Sequence, residues 1–211
     1  MEIQLFDINK PGTLDGGDVL RVNTDMFVGI SERTNKEAVN QISKILSPYG
    51  IRVYGVPVGT GGLHLKSLIT ALDSQTLVVA RGVGLPIRQT IEQMDMEDLL
   101  ATEYGYVFPY HHGTFLCCPP CFLLPWSPLS IQLILGSLYL LIICRFIEVT
   151  HPLSANVLRV NNYVFIQPAN EEDREILITA CEERGLTPVE MDMSETAKAD
   201  GALTCCSILL P

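Results

Sequence analysis

Apolar and polar residues fall into the same order three times along this chain. In the first stretch, Val19–Val22 and Phe27–Ile30 are apolar and β-branched, and predict two short strands. Thr34 then reads as a helix N-cap, with Glu37 three residues on closing a capping box. Ala38, Val39, Ile42, Ile45 and Leu46 recur at helical spacing, so that helix has one apolar face. Pro48 and Gly50 stop it, and Ile51–Val58 predicts a third strand. In the second stretch Leu77–Ala80 predicts a strand, Pro86 stands at a first helical position, and Ile87, Ile91, Met94 and Leu99 form the buried stripe. In the third, Asn170 caps a helix over 171–183, Gly185 ends it, and Leu186–Met191 returns as a strand.

The third stretch repeats the first in letters as well as in pattern. Val19-Leu-Arg-Val-Asn23 recurs 138 residues later as Val157-Leu-Arg-Val-Asn161, and Met26-Phe-Val28 faces Val164-Phe-Ile166 at the same offset. From Phe27 to Leu77 is 50 residues but from Leu77 to Phe165 is 88, so about 38 are surplus between the second and third copies. A β-β-α-β unit of this size cannot bury its own apolar face and does so by stacking on copies of itself. The expected fold is therefore α/β, with about three β-β-α-β units as part of a propeller or array, interrupted by one insertion.

Composition locates the surplus. Between Val107 and Ile147 stand five prolines and one formal charge, Arg145. This sets residues 1–106 apart as two units, 107–147 as an apolar insertion and 148–211 as the last unit. Within the insertion Leu129–Cys144 runs 16 residues without a charge, short of the roughly 20 that a membrane span needs. A membrane segment, a buried hairpin and an insertion without selected structure are the three alternatives. His111, His112, Cys117, Cys118 and Cys121 invite a zinc site, but one Cys-x-x-Cys is half of a structural set. Pro119 and Pro120 between the cysteines favour an extended loop, and no metal is expected.

Charge narrows the partners. Lys+Arg number 14 against 24 Asp+Glu, a net charge of −10, so no basic stripe is available for nucleic acid and a cationic small molecule is favoured. Seven cysteines, an odd number, and an acidic opening Met1-Glu-Ile-Gln-Leu-Phe-Asp7 without a secretory signal predict free thiols in a reducing, cytoplasmic setting. Membrane association through Leu129–Cys144 is the alternative, and no oligomeric state follows.

Four stretches outside the insertion carry more chemistry than packing demands. Leu14-Asp-Gly-Gly-Asp-Val19 brings two carboxylates and a flexible backbone to the start of a strand. Ser31-Glu-Arg-Thr34 offers a guanidinium able to clamp a carboxylate, Gly62-Leu-His-Leu-Lys-Ser67 an imidazole, and Gly201-Ala-Leu-Thr-Cys-Cys-Ser207 a thiol pair. Taken singly these read as a solvated Asp-Gly turn, a solvated helix start, a satisfied core histidine and buried cysteines. Together they supply a nucleophile, a base and an acid to orient the base.

In combination Leu-Asp-Gly-Gly-Asp-Val at 14–19, Phe-Val-Gly-Ile-Ser-Glu-Arg-Thr-Asn at 27–35, Gly-Leu-His-Leu-Lys-Ser at 62–67 and Leu-Thr-Cys-Cys-Ser at 203–207 resemble the dimethylarginine dimethylaminohydrolases. These belong to the guanidine-modifying pentein superfamily, and the resemblance covers residues 1–106 and about 149–211. It implies a five-bladed α/β propeller and a cofactor-free hydrolysis of Nω-methylated arginine to citrulline and dimethylamine or methylamine, through a covalent thiouronium. By the same resemblance Cys205 matches the nucleophile, His64 the general acid/base and Asp15 the carboxylate that orients it. Arg33 matches the residue that binds the substrate's α-carboxylate, Ala199 and Asp200 the loop that meets its α-amino end, and Asp18 counts with the substrate contacts. The family has roughly two further blades ahead of the Asp15 motif, with acidic guanidinium ligands and a lid, so a truncated family member is expected.

Overall fold

A computed structural model describes residues 4–104 and 145–207 of the chain. It divides into two units, residues 1–91 with 144–211, and residues 92–143. Of the second unit, only the C-terminal part of one helix lies among the described residues.

The first unit holds three small sheets of one plan. Each opens with a tight 3-10 turn: Gly16–Asp18, Leu65–Ser67 and Pro152–Ala155. In the first sheet β1 (Val19–Val22) pairs antiparallel with β2 (Asp25–Ile30), and after helix α1 (Lys36–Leu46) strand β3 (Arg52–Pro57) returns parallel to β2. The second sheet has β4 (Ile69–Ala71), β5 (Thr76–Ala80) and β6 (Arg145–Val149), with helix α2 (Leu85–Tyr104) following β5. The third has β7 (Leu158–Val160), β8 (Tyr163–Ile166), helix α3 (Glu171–Glu182) and β9 (Thr187–Glu190). Helix α4 (Ser194–Ala197) leads to the cysteine segment.

The repeat survives to single hydrogen bonds. Asn23 and Asn161 both take left-handed backbone, at φ 55° and 56°, in the turns that join the first two strands of their sheets. Arg21 Nε donates to the Asn23 carbonyl at 3.1 Å, and Arg159 Nε to the Asn161 carbonyl at 2.8 Å. Asparagine tolerates that conformation where most residues do not.

Helix α1 turns Ala38, Val39 and Ile42 onto Val28 and its neighbours in the first sheet. Its cap differs by one residue from the sequence expectation. Asn35, not Thr34, accepts the Ala38 N–H, because the Thr34 hydroxyl is taken by a buried carboxylate described below. The second and third sheets share a continuous core of Leu72, Val78, Val149, Val157, Val164, Ile166 and Leu177, all nearly sealed from solvent. Full burial of such side chains is worth about 1.5–3 kcal/mol each.

Arg145, Phe146 and Ile147, set apart with the insertion on composition, are the first residues of β6 and pair with Thr76, Leu77 and Val78. The apolar segment thus interrupts the second sheet, between its helix and its last strand, and does not separate two sheets. Leu129–Cys144 and the His/Cys cluster at 111–121 lie outside the described residues. Among the described residues no helix is long and apolar enough to cross a membrane, and no cluster of His, Cys, Asp or Glu is arranged for a metal ion.

One buried acid anchors the third sheet. Asp173, at 0% exposure, accepts the N–H and hydroxyl of Thr150 at 2.6 and 2.8 Å and the His151 N–H at 3.1 Å. Burial alone would raise its pKa; the hydrogen bonds from Ser154, Thr150 and His151 outweigh it and hold the carboxyl below the ordinary value. A depressed folded pKa stabilises the fold above the unfolded value near 3.9, and that contribution is lost as pH falls through the folded one. Asp173→Asn is expected to cost about 1–3 kcal/mol at pH 7. The penalty should shrink below about pH 4, as urea denaturation across pH would show.

Candidate active site

The 3-10 turn Gly16–Asp18 is nucleated by Asp15, whose side chain accepts the Gly17 N–H at 2.8 Å. This cap leaves the second carboxylate oxygen of Asp15 free to face the imidazole of His64, and Oδ2 lies 3.3 Å from Nε2. The Gly17 hydrogen bond holds the Asp15 carboxyl below the ordinary carboxylate range, with the nearby His64 and Arg33 acting in the same sense against partial burial. Asp15 is therefore an anion at neutral pH. Its backbone N–H donates to Thr34 Oγ1 at 3.0 Å.

His64 stands at the N-cap of the Leu65–Ser67 turn with only 9% of its surface exposed. Nδ1 has no hydrogen-bond partner within the protein, and Nε2 has the Asp15 carboxylate as its close polar contact. Buried polar groups are nearly always satisfied, so an imidazole held against a carboxylate by one nitrogen, with the other left open, points to chemistry. Gly17 sets the distance: a Cβ there would lie 2.6 Å from His64 Cγ.

Asp18 departs from its expected part as a substrate contact. It is fully buried, and its carboxylate is spent inward: Oδ2 accepts the hydroxyls of Ser31 at 2.7 Å and Thr34 at 2.6 Å, and Oδ1 accepts the Leu65 N–H at 2.9 Å. The two aspartates of one turn thus divide the work. Asp15 faces the imidazole, and Asp18 ties the histidine-bearing turn to the start of α1.

The cysteine segment follows α4. Asp200 takes left-handed backbone at φ 56°, and Cys205 and Cys206 are both exposed. Cys205 lines a cavity of about 330 Å³ together with Asp200, Gly61, Gly62, Leu63 and Asn156. Gly61–Leu63 is the strand-to-histidine loop, so this wall of the cavity leads directly into His64. Arg33 lines a separate cavity, of about 460 Å³, on which Gly61–Leu63 also border. Arg33 and Cys205 are thus served by one loop but do not line the same cavity. Ala199 is exposed beside Asp200. Cys181, in contrast, sits in the core, where burial pushes its thiol up.

Three contributors escaped the sequence. Lys66 is half-buried, and burial pushes its ammonium pKa down, with the carboxylates of Asp15 and Asp18 opposing that shift. Thr34 bonds both aspartate positions. Asn156, 1% exposed, joins the Lys66 carbonyl to Thr204. The one signal for Asn156 was its place just ahead of the second Val-Leu-Arg-Val-Asn.

The arginine deiminase family matches residues 2–106. An N(G),N(G)-dimethylarginine dimethylaminohydrolase of Streptomyces coelicolor is 48% identical over 69 residues, covering 33% of this chain and 26% of that protein. An uncharacterized protein of Bacillus subtilis, YkgA, is 28% identical over 199 residues, 94% of this chain and 52% of its own length. The aligned part therefore spans about a quarter to a half of these relatives. Among solved structures, a cysteine-to-serine variant of the Pseudomonas aeruginosa dimethylarginine dimethylaminohydrolase, complexed with citrulline, superposes with a TM-score of 0.56 at 22% identity. That match covers 92% of this chain and 55% of the other. The N-terminal domain of ArgZ, a cyanobacterial arginine dihydrolase bound to product, gives 0.58 at 15% identity over 96% and 58%. At these identities the structural matches establish the fold, three units of an α/β propeller.

Proposed function

Because the chain belongs to the guanidine-modifying family of arginine deiminase and dimethylarginine dimethylaminohydrolase, we propose that it hydrolyses Nω-methylated arginine to citrulline and an alkylamine. The observation that carries the proposal is the buried His64 imidazole, with Nε2 3.3 Å from Asp15 Oδ2 and Nδ1 without a hydrogen-bond partner in the protein, at the end of the loop that borders the Cys205 cavity.

In this mechanism Cys205 Sγ passes its proton to His64 and attacks the guanidinium carbon, forming a C–S bond. His64 returns that proton to the departing nitrogen as the C–N bond breaks, which releases dimethylamine or methylamine and leaves a thiouronium. Water then attacks the same carbon with His64 taking its proton, the C–S bond breaks, and the sulfur recovers a proton as citrulline leaves. Asp15, an anion throughout, orients the ring and stabilises its charged form. Asp200 is the acidic side chain among the described residues lining the cavity, and in this mechanism it faces the cationic substrate, with the Ala199 backbone beside it in sequence. Arg33, beyond the Gly61–Leu63 loop, receives the substrate's α-carboxylate. The cycle needs no metal or cofactor.

Purified full-length chain is expected to release citrulline and dimethylamine in equal amounts from asymmetric dimethylarginine, measured by mass spectrometry. Citrulline no higher than in a protein-free blank would overturn the proposal and leave a family member without turnover.

A further inference from the structure

We infer that Asn156 is a positioning residue for the thiol–imidazole pair, holding the segment that carries Cys205 in register with the turn that carries His64. The inference rests on the proposal that these two side chains act together.

The Asn156 amide spends every polar atom on this junction. Nδ2 donates to the Lys66 carbonyl at 2.7 Å and to Thr204 Oγ1 at 2.9 Å, while Oδ1 accepts the Thr204 N–H at 3.0 Å. Lys66 is two residues after His64 and Thr204 is the residue before Cys205. The two partners are 90 and 48 residues away in sequence from Asn156, so no local chain geometry would keep them together. With the side chain 1% exposed, water cannot replace the bonds that a substitution removes.

The histidine turn is gripped from both sides. Asp18 Oδ1 accepts the Leu65 N–H, and Asn156 Nδ2 donates to the neighbouring Lys66 carbonyl. Asp18 and Asn156 are the same position of the repeat, each directly ahead of Val-Leu-Arg-Val-Asn at the 138-residue offset. The chemistry differs as the task requires. The first copy meets an N–H and two hydroxyls, and a carboxylate accepts from all three. The third meets a carbonyl, a hydroxyl oxygen and an N–H, which calls for an amide that both donates and accepts.

The test compares the two adjacent cysteines within the full chain, Cys206 serving as internal standard. Iodoacetamide labelling followed by peptide mass spectrometry gives the ratio of Cys205 to Cys206 rates, and the citrulline assay gives kcat and KM. In the unchanged chain the ratio is expected well above one and to depend on His64, falling in His64→Ala. Asn156→Leu is expected to lower the ratio and kcat each by about tenfold with KM within about threefold, the signature of misplaced reacting groups. Should that variant fail to fold, Thr204→Val decides, since it removes a single bond at a half-buried site. It is expected to lower the ratio about twofold to threefold with a melting temperature lowered by only a few degrees. A His64-dependent ratio that neither folded variant moves would overturn the positioning role alone. A ratio near one that His64→Ala does not alter would remove the proposed pair, and the inference with it.

Discussion

Cys205→Ser is expected to lower citrulline release from asymmetric dimethylarginine by on the order of 10³-fold or more, while Cys206→Ser stays within about twofold of the unchanged chain. Both cysteines are exposed and adjacent, so chemistry alone does not choose between them. Geometry does. Cys205 is a wall of the cavity it shares with Asp200 and the Gly61–Leu63 loop, and Cys206 is not among the side chains lining it. A thiol is a far stronger nucleophile near neutral pH than the hydroxyl that replaces it, and the exchange of sulfur for oxygen leaves size and hydrogen bonding nearly intact. The loss should therefore fall on kcat, with substrate still bound. Equal losses in the two serine variants, or none in either, would exclude a covalent route through Cys205.

Much of this arrangement was open to inspection in the sequence, and the part that was hidden is of one physical kind. The hairpins and helices of the first and third sheets follow local rules: a two-residue asparagine turn, an Asn cap at 170, glycine at positive φ after each helix. The Asp15, His64 and Cys205 motifs were equally local, each a residue type set in a turn or at a strand end. What remained hidden depends on partners far along the chain. Thr34 looked like a helix cap because its neighbours obey the capping pattern, yet Asp18, 16 residues away, claims its hydroxyl and Asn35 caps instead. Asp18 looked like a ligand because it shares a turn with Asp15, yet Leu65 and the hydroxyls of Ser31 and Thr34 draw it inside. β6 was misjudged because composition changes before Arg145, whereas strand pairing with β5 decides where the sheet resumes. Periodicity records which face of an element is buried, and it carries no record of which distant polar atoms meet there.

Gly17→Ala tests the most demanding contact in the site. The Asp15 carboxylate and the His64 ring meet only because nothing projects from the residue between them. An added Cβ would stand 2.6 Å from His64 Cγ and 2.8 Å from both Cδ2 and Nδ1, inside any real carbon contact. The ring cannot stay, and the turn cannot shift without loosening the Gly17 N–H that fixes Asp15. Either movement parts the imidazole from the carboxylate that faces it. The expected result is a fall in kcat of about 10²-fold, since a displacement near 1 Å costs that much, with a stability loss of about 1–3 kcal/mol from overpacking. Gly16 is the control in the same turn. A Cβ there meets nothing within 4 Å, so Gly16→Ala is expected to change kcat less than about twofold and leave the melting temperature nearly unmoved. If the two alanine variants behaved alike, the close approach of the glycine backbone to the imidazole would have no bearing on activity. A selective loss at position 17 would instead show that the turn is built around the ring.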